Sequence, residues 1–374
     1  MVRLLREFGP LTRGELGELC GLSRTTLYEV VSGLVDGGLV LASVPDSGPR
    51  GRGRPAEKLA LNPEAGCAVG IDFGRRAVRV VTMTVADDDI GRAHMPHPDD
   101  APWPERIALA HRLAGSLTGG GLRHGLLSGV GVSVPDPAPG PATPAEQRTV
   151  AVMTGRAFGT RARLDTASRL AALAESVWGA AEGQRDVLYL ELSEEVGGGL
   201  VSGGALHRGA HGRSGRFGHI TVEAEGLPCG CGGRGCLQTV ASTGAVLRAC
   251  PDMADVTRLV AAARSGEPAA RAAVARAGSL AGRVLAGLVH AVEPGVVVVG
   301  GELPSAGTVL LEPLEREMRA HATLRGPGSS PPVRPAALGE FAAALGALSL
   351  LRRPGRRTGP GLPSGAAVGV RCRT

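Results

Sequence analysis

Lysine is almost absent from this chain. Lys58 is the only one among 41 basic residues, while Arg, Ala, Gly and Pro are abundant. That usage reads as the codon bias of a GC-rich genome rather than as chemistry. Long apolar runs are missing as well: 43% of the 374 residues are apolar, yet no stretch of about 18 in a row occurs, so no membrane span is expected. At the N-terminus, Arg3, Arg6 and Glu7 stand where a secretory signal needs an apolar stretch. A cytoplasmic chain with two or three domains is the expectation. Acid is missing from the last 24 residues, which hold Arg352, Arg353, Arg356, Arg357, Arg371 and Arg373. Those arginines account for the whole net charge of +6, and the rest of the chain is neutral. The Pro/Gly-rich text over 353–374 predicts a disordered basic tail, so a pI of 9.3 says little about what the folded body binds.

Against these absences stands one dense cluster: His219, Cys229, Cys231 and Cys236, the cysteines lying in a glycine-rich loop. Three thiolates and one imidazole are the ligand set of a closed tetrahedral Zn²⁺ site, with no position left for water or substrate, so the metal would be structural. The glycines let a short loop turn sharply enough for three sulfurs to meet one ion. A loop of free or disulfide-bonded cysteines is the alternative. Four soft ligands this close, in a chain without a secretory signal, favour zinc and a reducing compartment.

Residues 12–36 predict two helices joined by a glycine turn. Thr12 can cap a helix over 13–20, with Glu15 completing a capping box. Gly21 turns the chain with Leu22 packed beneath it, and Ser23 caps a second helix ending at Gly37-Gly38. Leu27, Val30, Val31 and Leu34 form the stripe expected to be buried. Arg24, Thr25, Tyr28, Glu29 and Ser32 lie opposite. This is a helix-turn-helix pattern, whose second helix enters the major groove of double-stranded DNA through Ser23, Arg24, Thr25 and Tyr28. Strand candidates at 39–42 and 58–61 flank a loop carrying Arg50, Arg52 and Arg54, as in a wing whose arginines follow a minor groove. The first helix, Val2 to Phe8, is short for such a module, so an upstream start codon is expected.

From residue 66 onward, strand candidates at 67–74, 78–85, 129–135, 187–192 and 296–301, the first and last ending in glycine, alternate with Ala/Leu-rich helices. Taken with Gly215-Arg216-Phe217-Gly218-His219 and the cysteine loop, their order resembles the ROK family (repressors, open reading frames and sugar kinases), over roughly residues 1–350. The resemblance implies an α/β chain: an N-terminal winged helix-turn-helix, then a two-lobed, actin-like (ribonuclease H-like) sugar-kinase fold with a zinc loop. The expected division is 1–62 for DNA binding, 63–175 for the first lobe, completed by a helix near 336–352, 176–335 for the second lobe with the zinc site, and the 353–374 tail.

The departures from the family pattern point away from catalysis. Family kinases open a helix with an Asn-Asp pair, the aspartate acting as general base toward the γ-phosphate. The match of 170–175 to that helix puts Thr166 and Ala167 at the pair, and Ala167 has no proton acceptor. Asp165 is two residues away, and sliding it into place would rotate the helix by about 200°. The sugar-binding glutamate three residues before the zinc histidine is Arg216, and a second glutamate is Gln238. The phosphate hairpin reads Ser193-Glu194-Glu195, while Asp72 and Gly74 keep the first phosphate strand but are followed by Arg75-Arg76. The expectation is a transcriptional regulator, most simply a repressor, that binds operator DNA as a homodimer or dimer of dimers. It would hold structural Zn²⁺, no ATP, and a small-molecule effector, a sugar derivative of anionic character, through Thr166, Arg216, His219 and Gln238. The alternatives are an ATP-dependent sugar kinase fused to a DNA-binding domain, a body that serves dimerisation alone, and an Arg216 that pairs with Glu194 or Glu195 and fills an abandoned site.

Overall fold

The computed structural model describes residues 1–43, 57–62, 67–84, 90–118, 127–135, 144–321 and 330–351. Arg50, Arg52, Arg54 and the 353–374 tail lie outside the described residues.

The N-terminal module holds α1 (Val2–Phe8), β1 (Leu11–Thr12), α2 (Arg13–Cys20), α3 (Arg24–Asp36), β2 (Val40–Ser43) and β3 (Lys58–Leu61). Local chemistry sets its helix starts. The Thr12 hydroxyl accepts from the Glu15 N–H at 3.3 Å while the Glu15 carboxylate accepts from the Thr12 N–H at 2.7 Å, a complete capping box. Gly21, at φ 64°, turns the chain out of α2, and Ser23 Oγ accepts from the Thr26 N–H at 3.2 Å to start α3. The three strands pair antiparallel with β3 in the centre, over a core of Leu5, Leu16, Leu27, Val31, Val40 and Leu59. Two expectations fail here. Val30 and Leu22 are each 41% exposed rather than buried. At 100° per residue, Val31 and Leu34 fall within about 40° of Leu27, whereas Val30 lies about 60° off on the other side. In so small a module only the narrow stripe finds neighbours.

The body repeats one sheet twice. The first sheet contains β4 (Cys67–Phe73), β5 (Ala77–Thr84), β6 (Ile90–Pro96), β7 (Leu127–Val134) and β8 (Ala162–Thr166), in the order β6-β5-β4-β7-β8. The first three strands are antiparallel and the last two join parallel. Helices α4 (Trp103–Leu117) and α5 (Pro144–Ala157) cover one face, over Ile71, Phe73, Val80, Val132 and Phe158. From β8 the chain runs directly into α6 (Ala167–Trp178). The second sheet contains β9 (Val187–Leu192), β10 (Val196–Ser202) and β11 (Ala205–His207), followed after helices α7 (Gln238–Ala241), α8 (Thr243–Arg248), α9 (Val256–Ser265) and α10 (Pro268–Val292) by β12 (Val296–Gly300). Helix α11 (Thr308–His321), β13 (Val333–Pro335) and α12 (Ala342–Ser349) finish it, in the order β11-β10-β9-β12-β13 with the same strand directions as the first.

Helices α6 and α12 pack on each other between the sheets, α6 against β9 and β10 and α12 against β4 and β7. A Cβ at Gly131 would stand 1.8 Å from the Ala347 carbonyl oxygen, so only glycine lets α12 approach that closely. Buried Glu175 fixes the crossing. Its carboxylate accepts from the N–H groups of Ala180 (2.7 Å), Ala337 and Leu338 (both 3.0 Å), tying the end of α6 to the segment entering α12. Helix α10 is long and apolar enough to cross a bilayer by length and composition. However, Val274, Ala277, Ala281, Leu285 and Val289 are buried in the second lobe's core, which makes it that lobe's central helix.

Candidate functional site

His219 ends a short 3₁₀ turn, Phe217–His219, packed beside β10, and the three cysteines follow on a loop pinned by its own backbone. The Cys229 N–H donates to the Gly233 carbonyl at 2.9 Å, and isolated bridges join Pro228 to Arg234 and Thr221 to Cys236. Gly235, at φ 60°, allows the loop to lie against Glu223, whose carbonyl oxygen a Cβ would meet at 1.5 Å. The result brings one ligand atom from each of His219, Cys229, Cys231 and Cys236 within 4.8 Å of one another. Cys231 Sγ and Cys236 Sγ are 3.6 Å apart, as are Cys229 Sγ and His219 Nδ1. Four ligands at zinc–sulfur distances would sit about 3.8 Å apart on a tetrahedron, so the residues fit a metal ion. Without a cation, burial and neighbouring thiols push Cys236 up to about 12, whereas the Gly233 N–H lowers Cys231. Burial, then the nearby Arg216 charge, lowers His219, which favours the neutral imidazole a metal needs.

Between the lobes, the turns that follow β4 and β9 meet. Arg75 Nη1 donates to Glu194 Oε1 at 2.6 Å across 119 residues of sequence, and that carboxylate holds the arginine's pKa up. Asp72 is buried on β4 with both oxygens engaged: Oδ1 accepts from Ser133 Oγ at 2.7 Å and Oδ2 from Arg79 Nη1 at 3.3 Å. Burial raises its pKa despite both partners. Gln238, the first residue of α7, grips the second turn: its Oε1 accepts from the Val196 N–H at 2.6 Å and its Nε2 donates to the Glu194 carbonyl at 3.0 Å. The Gln238 amide therefore shapes the hairpin.

At the start of α6, Thr166 is the N-cap and Ala167 the first helical residue. Asp165 is buried and doubly bridged, by Arg169 (Nη2 at 2.5 Å) and by Arg208 (Nε at 2.6 Å). Arg169 also donates to the carbonyls of Gly212 (2.9 Å) and Ser214 (3.1 Å), fastening the strap that leads to Arg216. Both oxygens of that carboxylate are thus occupied by guanidiniums. The sequence singled out neither Arg169 nor Arg208.

On the N-terminal module Ser23, Arg24, Thr25 and Tyr28 are all exposed along one side of α3's first two turns, Tyr28 by 63%. Arg13, on α2, lies over the Tyr28 ring at 5.0 Å and bridges Glu57, at the foot of β3, at 3.1 Å. That contact orients the tyrosine, and Arg13 too went unnoticed in the sequence.

A sequence model described as the ROK family matches residues 150–353. The DNA-binding transcriptional dual regulator NagC of Escherichia coli (strain K12) is 24% identical over 372 residues, spanning 94% of this chain and 91% of its own. Among solved structures, a ROK family transcriptional regulator, a homolog of the E. coli MLC protein, superposes with a TM-score of 0.73 at 20% identity, covering 94% of this chain and 93% of that one. A ROK family glucokinase from Streptomyces griseus, in complex with glucose and AMPPNP, gives 0.64 at 25% identity, covering 76% of this chain and 99% of the enzyme.

Proposed function

The chain belongs to the ROK family, and we propose that within it this protein is a DNA-binding transcriptional regulator, a repressor, whose kinase-like body does not transfer phosphate. One observation carries the reading: a helix with an exposed polar N-terminal face (Arg24, Thr25, Tyr28) is joined to a body that has Ala167 where a base would stand. The likeness to NagC along 94% of the chain supports it. Residues 1–62 are then a winged helix-turn-helix. Helix α3 reads the major groove and Arg50, Arg52 and Arg54 add minor-groove affinity, strongest over A·T steps. A homodimer, or a dimer of dimers, binds a two-fold operator with half-sites about one helical turn or a multiple apart. The chain acts in the cytoplasm.

Residues 63–175, closed by the helix near 336–352, and 176–335 are the two lobes. Zn²⁺ held by His219, Cys229, Cys231 and Cys236 is structural, and its binding energy is folding energy for the strap carrying Arg216 and the hairpin held by Gln238. ATP is excluded by the acidic turn: Glu195 repels a phosphate charge by about 1 kcal/mol in water and about 4 kcal/mol in a partly screened site at 4 Å, and Glu194 occupies Arg75, which would otherwise attract phosphate. The effector is an anionic small molecule bound near Thr166, Arg216 and His219. Arg216 offers a guanidinium fork in place of the family's carboxylate.

The test is binding to the DNA beside the protein's own gene. Arg24→Ala should relax sequence preference, whereas Arg52→Ala should weaken all sequences alike and flatten the salt dependence. Specific binding that survives removal of residues 1–62 would sink the assignment. A coupled ADP-release assay across common hexoses should stay at background, and measurable turnover of glucose by the unmodified protein would restore the kinase reading.

A further inference from the structure

Backbone register sets Arg13 beside Glu57 in the N-terminal module. Strand β1 pairs Leu11 with Leu59 and Thr12 with Lys58, so the next antiparallel step puts residue 13 against residue 57. The side chains complete that step: Arg13 Nε donates to Glu57 Oε2 at 3.2 Å, and Nη2 lies 3.1 Å from the same oxygen. Helix α3 brings a third member, the Tyr28 ring, its centroid 5.0 Å from the guanidinium carbon. The remaining nitrogen, Nη1, is buried without a hydrogen-bond partner. An aromatic face attracts a cation without accepting a conventional hydrogen bond, so the ring offsets part of that loss. Arg13 thus bridges α3 and the foot of β3.

A cation at this place can serve as a phosphate anchor or as a support for Tyr28, and the donors decide between the two. With Nε and Nη2 on one carboxylate oxygen and Nη1 out of solvent, no pair of N–H groups remains to fork a phosphate. Glu57 also cancels the charge that would draw Arg13 toward one. Tyr28, by contrast, is exposed, and a free tyrosine loses rotamer freedom when it meets a base. A ring already held loses less. We propose that Arg13 is a positioning residue for sequence readout: anchored by Glu57, it holds the Tyr28 ring in the direction in which α3 presents it to base edges. The inference rests on the DNA-binding reading above and deepens it. Arg13 itself touches neither base nor phosphate.

The experiment uses the full-length, zinc-replete protein and its Arg13→Gln and Glu57→Gln variants. Binding to the protected operator and to a scrambled duplex is titrated over a range of salt concentrations. Each variant should lower the ratio of operator to scrambled affinity about fivefold, the cost of ordering one side chain on binding. In Arg13→Gln the salt slope should stay unchanged. A phosphate anchor behaves otherwise: Arg13→Gln would weaken both duplexes alike and cut the slope by about one, and Glu57→Gln would strengthen both alike. The chain has two tyrosines, Tyr28 and Tyr189, so fluorotyrosine labelling gives two ¹⁹F resonances, assigned with Tyr28→Phe. Without DNA, both glutamine variants should shift and narrow the Tyr28 resonance and leave that of Tyr189 in place, which separates a released ring from general unfolding. The proposal is overturned by the phosphate-anchor pattern, by an unchanged affinity ratio in both variants, or by a Tyr28 resonance that ignores Arg13→Gln. Failure of the unmodified protein to prefer any flanking sequence sinks the regulator reading and this one together. Operator preference that survives both variants sinks this one alone.

Discussion

The two lobes share a strand order, 3-2-1-4-5 counted along each sheet, and each offers the turn between its first two strands to the other lobe. The turns differ in one respect. The first carries Arg75 and Arg76, the second Glu194 and Glu195. A pair of turns built to share a polyphosphate would need donors on both sides, because backbone N–H groups and cations hold phosphate while carboxylates repel it. Here one side donates and the other accepts, and they meet as the Arg75–Glu194 pair. The two turns of this duplicated frame therefore meet through their own side chains.

The largest expected effect comes from the metal. Chelation, Cys231→Ser or Cys236→Ser should unfold or loosen the second lobe, since zinc binding in small zinc domains contributes about 10–16 kcal/mol to folding. Gln238 sits two residues beyond Cys236 and holds the acidic turn, so the Arg75–Glu194 contact should go with it. Elemental analysis with far less than one zinc per chain would remove this prediction. Next comes Asp165→Asn, which leaves buried Arg169 without its counter-charge and should cost about 3–5 kcal/mol in denaturant unfolding. A loss below about 1 kcal/mol would mean that the cluster is solvated. Phosphoryl transfer should remain undetectable even after Ala167→Asp, because the acidic turn at Glu194 and Glu195 and the sugar contacts at Arg216 and Gln238 would need repair as well, and groups acting as a unit do not recover singly.

Smallest is the contact between the turns itself. Arg75 and Glu194 are each about half exposed, so a double-mutant cycle should give about 0.2–1 kcal/mol, reduced by salt. Arg75→Glu should break the contact and the reversed pair, with Glu194→Arg added, should restore it. A coupling of zero would mean that the opposite charges of the turns have no energetic consequence.

The central strands were legible as continuous runs of mostly apolar, β-branched residues: β9 was read at its observed bounds, and β4, β5, β7 and β12 within two residues. Edge strands escaped. β6 exposes Arg92 and His94 and has only Ile90 and Met95 as large apolar residues, and β11 is only three residues long. The metal ligands were legible for a different reason, being close in sequence and chemically distinctive. The charge pairs were not, because Arg208 lies 43 residues from Asp165 and Arg75 lies 119 from Glu194. Nothing local marks such pairs; only the fold brings them together. Val30 shows the opposite error, in which an apolar residue beside a real stripe was assigned to it.

A footprint on the DNA flanking the protein's own gene decides whether this body serves a DNA-binding module. The full-length protein should protect a two-fold related site, and Arg24→Ala with Tyr28→Ala should erase that protection while leaving zinc content and unfolding unchanged. Protection that persists in the double variant, or none by the unmodified protein on any flanking sequence, would contradict that role.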